Sequence, residues 1–447
     1  MINFVFPLTL CILLLNITTT SNLNAQTKNT DSILAEINTL KQSYESRLKT
    51  LETKINELNQ KGKTEQRSEK IKGTSSRKVK NNSFNPSIGI VFNGKLADYT
   101  KTTSEIAGFG VAHEGERGRE GLGIGETELN FSANADNKFY GSTTAAIVRE
   151  DGADKIELEE AYVETLPGLG LPSGVRLKAG RAFWSVGYLN EIHAHADDFA
   201  DRPLPYRAYL NKAYNDDGVQ ISMVLPTERY LEIGTGLFRG DDFPFGSSTS
   251  GRSAHSGYIR TGGDIGQNSS WRMGASTLIG TTDGRKSNED NVTFVGDSSI
   301  FAVDGRVILQ PTGNSKDKEI ILQGEYFRRD ENGQYTDAES GATSVNFDGI
   351  SSGYYAQAVL KTSAAWRIGA RYSKMSPADV PAGLAGSALD SSGHDPVTYS
   401  VMTDWTSSEY GRLRLQYNRE EFSQNDADNQ LILQYVVSIG AHGTHSF

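Results

Sequence analysis

One cysteine stands among 447 residues, Cys11, and it lies within an apolar run near the start. The remaining chain has no thiol, which excludes a disulfide framework, a thiolate metal centre and a cysteine nucleophile. Charge is missing from Met1 to Ala25, where Phe4 to Leu15 is apolar and polar residues follow up to Leu23-Asn24-Ala25. This layout predicts a secretory signal peptide over 1–25, although the usual basic n-region is lacking. Beyond it no stretch matches the about 20 apolar residues of a transmembrane helix, and hydrophobic residues make up only 37% of the chain. There is no glycine-rich dinucleotide fingerprint, no phosphate loop, and no Ser or Asp set beside a His in a strand pattern. The expectation is therefore a non-enzyme with no resident cofactor. A net charge of −10 also argues against nucleic acid as a partner, because phosphate backbones are bound by basic surfaces.

A low mean hydropathy does not exclude membrane strands, because only every second residue of such a strand meets lipid. The end of the chain shows this period. Leu431, Leu433, Tyr435, Val437 and Ile439 fall on one face, and Gln434, Ser438 and Gly440 on the other. Ile432 and Val436 are apolar exceptions on the inward face. The final Phe447 resembles the terminal aromatic signal of bacterial outer-membrane barrels, although Gly443 and His445 stand where that signal carries apolar residues.

From Pro86 onward, sixteen strands of about ten residues are predicted, from 86–99 through to 430–447, the length a tilted membrane strand needs. Connections after even-numbered strands are short, such as Asp136-Asn137, Ser363-Ala364 and Ser407-Ser408. Those after odd-numbered strands are mostly long, including 100–121, 185–216, 240–253, 281–297, 331–350 and 377–395. An even strand count with loop lengths segregated in this way predicts an all-β fold, a 16-stranded antiparallel transmembrane β-barrel. In 156–165 the alternation breaks at Glu159-Glu160, which predicts a β-bulge. The lumen-facing set includes Glu126, Glu128, Asn130, Glu157, Arg176, Lys178, Arg412 and Arg414. A lumen lined in this way is wet, and sixteen strands leave room for a channel.

Ahead of the barrel (86–447), residues 26–62 are expected to form a periplasmic coiled-coil helix. Ile33, Ile37, Leu40, Tyr44, Leu48, Leu51, Ile55 and Leu58 recur at steps of three and four without Gly or Pro. Such a stripe calls for a partner helix, most simply within a homotrimer. A basic flexible linker covers 63–85; Lys61 to Lys80 holds eight basic and two acidic side chains, enough to touch the cell wall. By difference, the residues from Asn81 onward carry −16.

The longest connection, Ser185 to Asp216, is the third on the long-loop side, the position that general porins fold into the barrel as a constriction. Glu191, His193, His195, Asp197, Asp198, Asp201, Arg202, Arg207 and Lys212 are its candidate constriction residues. Opposed acids and bases there would set a transverse field. Pro203 and Pro205 would stiffen the loop, and Tyr206, Tyr209 and Tyr214 would bracket planar solutes. His193 and His195 share one face if extended and are a candidate metal pair beside Asp197 and Asp198.

Glu159-Glu160-Ala161-Tyr162-Val163, followed by Leu177-Lys178-Ala179-Gly180-Arg181-Ala182-Phe183, resembles the paired strand motif of the phosphate-selective porin O and P group. Gly125-Glu126-Thr127-Glu128-Leu129-Asn130, Gly187-Tyr188-Leu189-Asn190-Glu191 with His193 and His195, and Gly440-Ala441-His442-Gly443 resemble siderophore porins of the legiobactin-receptor type. These resemblances imply a Gram-negative outer-membrane porin that gives passive or facilitated diffusion of small polar solutes, with its N-terminal segment in the periplasm. Siderophore or metal-chelate uptake and a structural barrel anchoring a cell-wall tether are the alternatives. The acidic balance departs from a phosphate-selective pore and points to cations or neutral molecules.

Overall fold

The computed structural model describes residues 86–440, apart from 103–104, 151–152, 168, 247–249, 315–316, 409 and 425. The expected signal peptide, coiled-coil helix and basic linker, and the closing residues 441–447, lie outside the described residues.

Sixteen strands form among the described residues. The first eight are β1 Ser87–Tyr99, β2 Gly121–Asn134, β3 Phe139–Glu150, β4 Ala153–Thr165, β5 Val175–Phe183, β6 Asn215–Val224, β7 Tyr230–Phe238 and β8 Ala254–Ile265. The second eight are β9 Ser269–Ser287, β10 Val292–Leu309, β11 Glu319–Asp337, β12 Ala342–Lys361, β13 Trp366–Ser376, β14 Val397–Ser408, β15 Gly411–Ser423 and β16 Asp426–Gly440. Each pairs antiparallel with its sequence neighbour, and β1 closes the ring on β16 from Gly89↔Gly440 to Tyr99↔Gln430. Closure matters in hydrocarbon, where an open edge would leave backbone polar groups unpaired.

Alternation decides which side chains face out. On β1, Ile88, Phe92 and Leu96 are exposed while Val91, Asn93 and Ala97 are buried. On β15, Leu413, Leu415 and Tyr417 are exposed while Arg412, Arg414, Gln416 and Asn418 are buried. Polar residues inside and apolar residues outside invert the pattern of a soluble barrel. Outward aromatics mark two levels. Tyr354, Tyr372 and Tyr399 stack in a row with ring centroids 5.9 and 5.2 Å apart, and Trp366 pairs with Trp405 nearer the short turns. Tyr399 and Trp405 are six residues apart on β14, roughly 20 Å of strand at about 3.3 Å per residue, a spacing suited to two interfacial girdles.

The expected bulge forms. Glu160 pairs with Thr144 and Leu158 with Ala145, so Glu159 is the extra residue. The expected long connections at 281–297 and 331–350 do not. Their residues extend β9 to β12 into hairpins closed at 288–291 and 338–341, with Asn288, Glu289, Asp290 and Gly341 at positive φ. Past the lipid level both faces of a strand are wet, so runs such as Thr281-Thr282-Asp283-Gly284-Arg285 carry no apolar alternation and read as loop. A satellite core of Val292, Phe294, Tyr335, Phe347, Leu384 and Leu389 packs the 377–396 connection onto these extensions.

Candidate functional site

Residues 184–214, the third connection on the long-loop side (loop 3), fold into the lumen and meet groups from most of the wall. Asn190 ties the base of the loop. Its amide donates to the carbonyls of Trp184 (2.7 Å) and Tyr214 (2.9 Å), and its side-chain oxygen accepts the Tyr214 N–H at 2.5 Å. A seven-residue helix follows, α1 Leu204–Leu210, with Pro203 at its N-cap, Pro205 in its first turn and Asn211 ending it at φ 49°. Proline suits a first turn, where its missing N–H leaves no bond unmade, and asparagine tolerates the left-handed C-terminal position.

Every residue of α1 is buried. Tyr206 packs edge-on against Phe327 and Tyr209 against Phe109, while Tyr214 packs edge-on against Phe238 and Phe245. Glu325, on β11, gathers the loop. Its carboxylate accepts the N–H groups of Tyr188 (2.7 Å) and Leu189 (3.2 Å) and the hydroxyls of Tyr206 (3.0 Å) and Tyr355 (2.6 Å). Gly187 makes that approach possible. It sits at φ +71°, and a Cβ there would run into the Glu325 carboxylate and the Tyr206 hydroxyl.

Each charged residue nominated in loop 3 has an opposite partner. Asp198 lies 2.8 Å from Arg367 and 3.6 Å from Arg306. Asp201 accepts from Arg371 and Gln416, both at 2.6 Å, and from Asn418 at 2.9 Å. Glu191 bonds Arg260 and the Ser185 hydroxyl. Asp197 pairs with Arg202 at 3.1 Å, and its carbonyl accepts from Arg414 at 2.8 Å. Arg207 reaches Glu420 at 2.8 Å and the Gly115 carbonyl at 2.8 Å, and Lys212 stands 3.8 Å from Glu126. The Tyr206, Tyr209 and Tyr214 rings are fully buried against the wall, and their hydroxyls bond Glu325, Ser351 and Asp216.

The histidines meet an acidic patch. His193 Nδ1 lies 3.0 Å from Glu128 and 3.6 Å from Glu159, and its Nε2 lies 3.1 Å from Glu160. His195 Nδ1 is 2.6 Å from Glu128. The bulge is what turns two successive carboxylates, Glu159 and Glu160, toward one imidazole, since an unbroken strand would send one of them outward. Asp197 and Asp198 belong to other partners, so the hard oxygens beside the imidazoles come from the wall.

These surroundings set protonation. Burial alone would neutralise His193, but Glu128, Glu159 and Glu160 outweigh it and hold the imidazole well above its usual range. Burial likewise opposes charge on Asp198 and Asp201, and the guanidiniums of Arg367 and Arg306, and of Arg371, hold both below the usual carboxylate range. Burial, then Glu325, pushes the Tyr206 phenol well up, which keeps it a donor.

The lumen residues read from alternation divide by position. Glu128, Arg412 and Arg414 are buried against loop 3, with the Arg412 guanidinium donating to the His195 carbonyl. Asn130 bonds Thr144 at 2.9 Å, and Lys178 lies 4.0 Å from the centre of the Tyr162 ring. Arg176 is about half exposed and bridges Glu164 and Glu232. Glu126 and Glu157 are half-buried. Sequence reasoning missed Glu325, Asn190 and the arginine band of Arg260, Arg306, Arg367 and Arg371. All but Asn190 sit at inward strand positions that alternation marks as polar, so their side was readable and their partner was not.

No protein-family model matches the chain. A protein of Aquifex aeolicus, described only as uncharacterized, is 28% identical over 395 residues, 81% of this chain and 80% of its own length. Among solved structures, the anion-selective porin of Comamonas acidovorans matches with a TM-score of 0.51 at 12% identity, over 79% of this chain and 99% of the porin. The outer membrane channel DcaP of Acinetobacter baumannii gives a TM-score of 0.49 at 13% identity, over 79% and 97% of the two chains. The likeness to the Comamonas porin shows the fold that the strand pairing already gives, a porin-like closed barrel.

Proposed function

We propose that the chain is an outer-membrane porin of a Gram-negative cell that gives diffusion of small polar solutes through the barrel, with loop 3 governing passage. The observation that carries this is the division of lumen charge. An arginine band on β8, β10, β13 and β15 faces loop 3 from one side, and Glu126, Glu128, Glu159 and Glu160 on β2 and β4 face it from the other. A polar solute crossing between them is sorted by charge and dipole. Trimeric assembly with a periplasmic coiled coil belongs to this reading on the strength of the heptads at 31–60.

The tight seating of loop 3 supports a second reading, a channel closed at rest and opened by its solute, as siderophore or metal-chelate uptake would require. Trp184, Tyr206, Tyr209 and Tyr214 are fully buried, and such packing gives up apolar contacts when the loop moves. Single-channel recording of refolded residues 26–447 in a planar bilayer under a salt gradient separates the two. Steady openings in steps of three support the diffusion porin. A folded barrel that conducts only on adding a chelate supports the second reading, and one that never conducts refutes both in favour of a tether.

A further inference from the structure

We propose that Glu128, His193 and His195 form a binding site for one divalent transition-metal ion, zinc being the best match, which pins loop 3 to β2. The fold brings Glu128 to two histidines that lie 65 and 67 positions later in the sequence, and all three are buried. Their donor atoms lie within 4.8 Å of one another. The Glu128 oxygens face the two imidazoles separately, Oε1 at 2.6 Å from His195 Nδ1 and Oε2 at 3.0 Å from His193 Nδ1. Tetrahedral zinc with bonds of about 2.0–2.2 Å sets its donors roughly 3.3 Å apart, so these contacts must open by about 0.7 and 0.3 Å, the ion taking the place of the protons that now bridge them.

The ligand chemistry selects the metal. Two imidazoles and one carboxylate suit zinc and its neighbours, whereas calcium and magnesium favour all-oxygen shells. The surroundings are those of a supported site. With Nδ1 turned to the ion, His193 presents Nε2 to Glu160 at 3.1 Å, the carboxylate contact that orients metal-bound histidines. Phe183 packs edge-on against the same ring at 5.1 Å, and the Arg412 bond to the His195 carbonyl fixes the backbone beside the second ligand. Glu159 stands 3.6 Å from His193 Nδ1 and clusters separately with Glu126 and Glu128, so it borders the three-donor group without belonging to it. An ion of charge +2 also offsets the crowding of Glu126, Glu128, Glu159 and Glu160 in one place.

The test uses purified, folded full-length barrel, with folding checked by heat-modifiable gel mobility. His442 and His445 are replaced by Ala so that only the described imidazoles report. After chelation, Zn2+ is titrated calorimetrically, with Mg2+ in parallel, and Co2+ is followed by its visible absorption. The expected result is one Zn2+ per chain, no Mg2+ binding, a tetrahedral Co2+ spectrum, and at least tenfold weaker zinc binding for His195→Ala and for Glu128→Gln. His255→Ala, on an exposed position of β8, serves as the unchanged control. No uptake by the parent protein, or affinity unaltered by both substitutions, overturns the site. Because the parent titration decides this alone, misfolding of a variant does not shelter the proposal, and no readout depends on conductance.

Discussion

Replacing Asp198 by Asn removes one charge and keeps the side chain's shape, which makes it the cleanest probe of what holds loop 3. The carboxylate is nearly buried and pairs with Arg367 at 2.8 Å and Arg306 at 3.6 Å, with the Gln357 amide at 3.4 Å. Stranding a buried charge typically costs about 3–5 kcal/mol. Arg367 keeps a carboxylate, Asp404 at 2.6 Å, whereas Arg306, which is partly exposed, keeps the neutral Gln323 amide and the face of Tyr188. The loss falls instead in the about 1.5–3 kcal/mol range of a charge-assisted hydrogen bond. A value near 2 kcal/mol raises the population of a displaced loop roughly 30-fold. In bilayer recordings Asp198→Asn should therefore raise open probability by more than tenfold. It should also shift the reversal potential toward anions, because two arginines lose a counter-charge. Asp395→Asn, in an exposed pair with Lys374, should change neither. Open probability within twofold of the parent, together with an unmoved reversal potential, would refute the assignment of loop 3 as gate and filter.

Gly187→Ala should loosen the loop by about 1–3 kcal/mol, since a positive φ and a collision with Glu325 and Tyr206 add together; unaltered protease resistance of loop 3 would contradict this. Leu415→Arg, on the exposed face of β15 beside Leu433, should lower unfolding stability in vesicles by about 2–4 kcal/mol. A change below roughly 0.5 kcal/mol in urea titrations would show that this face does not meet the bilayer core. The pH response follows from Asp198 and Asp201. Asp198 faces Arg306, Arg367, Arg412 and Arg414, and Asp201 faces Arg371 and Arg207 with Gln416 and Asn418. Both carboxyls are depressed in the fold, so their stabilisation is complete above the ordinary Asp value of about 3.9 and fades as pH falls through the lower folded values. These anchors should hold loop closure level from pH 7 to about pH 4.5 and release it in stronger acid. A conductance rise already at pH 5.5 would show that other groups control the loop.

The barrel was legible because lipid enforces a strict rule. Leu413, Leu415 and Tyr417 must alternate with Arg412, Arg414 and Gln416, and any slip would put a guanidinium in hydrocarbon. The bulge was legible for the same reason, since Glu159-Glu160 breaks a phase that the membrane otherwise protects. The extensions of β9 to β12 were hidden where that rule lapses in water. Loop 3 was legible in composition but not in wiring. Its charges announced a role, yet that Asp198 would meet Arg367 and His195 would meet Glu128 depends on contacts 169 and 67 residues apart. Helix α1 had a local signal in Pro203 and Pro205, but seven residues are too few to show a period.

The wiring also explains why net charge is a poor guide to selectivity. A balance of −16 from Asn81 onward points to cations, yet the wall beside Asp197, Asp198 and Asp201 is a band of arginines. Loop 3 carries acids where it meets that band, and His193, His195 and Lys212 where it meets Glu126, Glu128, Glu159 and Glu160. It is thus complementary to both walls at once, and its seated form cancels the field that the lumen would otherwise present. On the proposed channel function, moving the loop would uncover arginines on one side and carboxylates on the other, and a solute would meet the sorting charges in that state. Asp198→Asn weakens the pairing with the arginines while keeping the side chain's size, and so tests this directly.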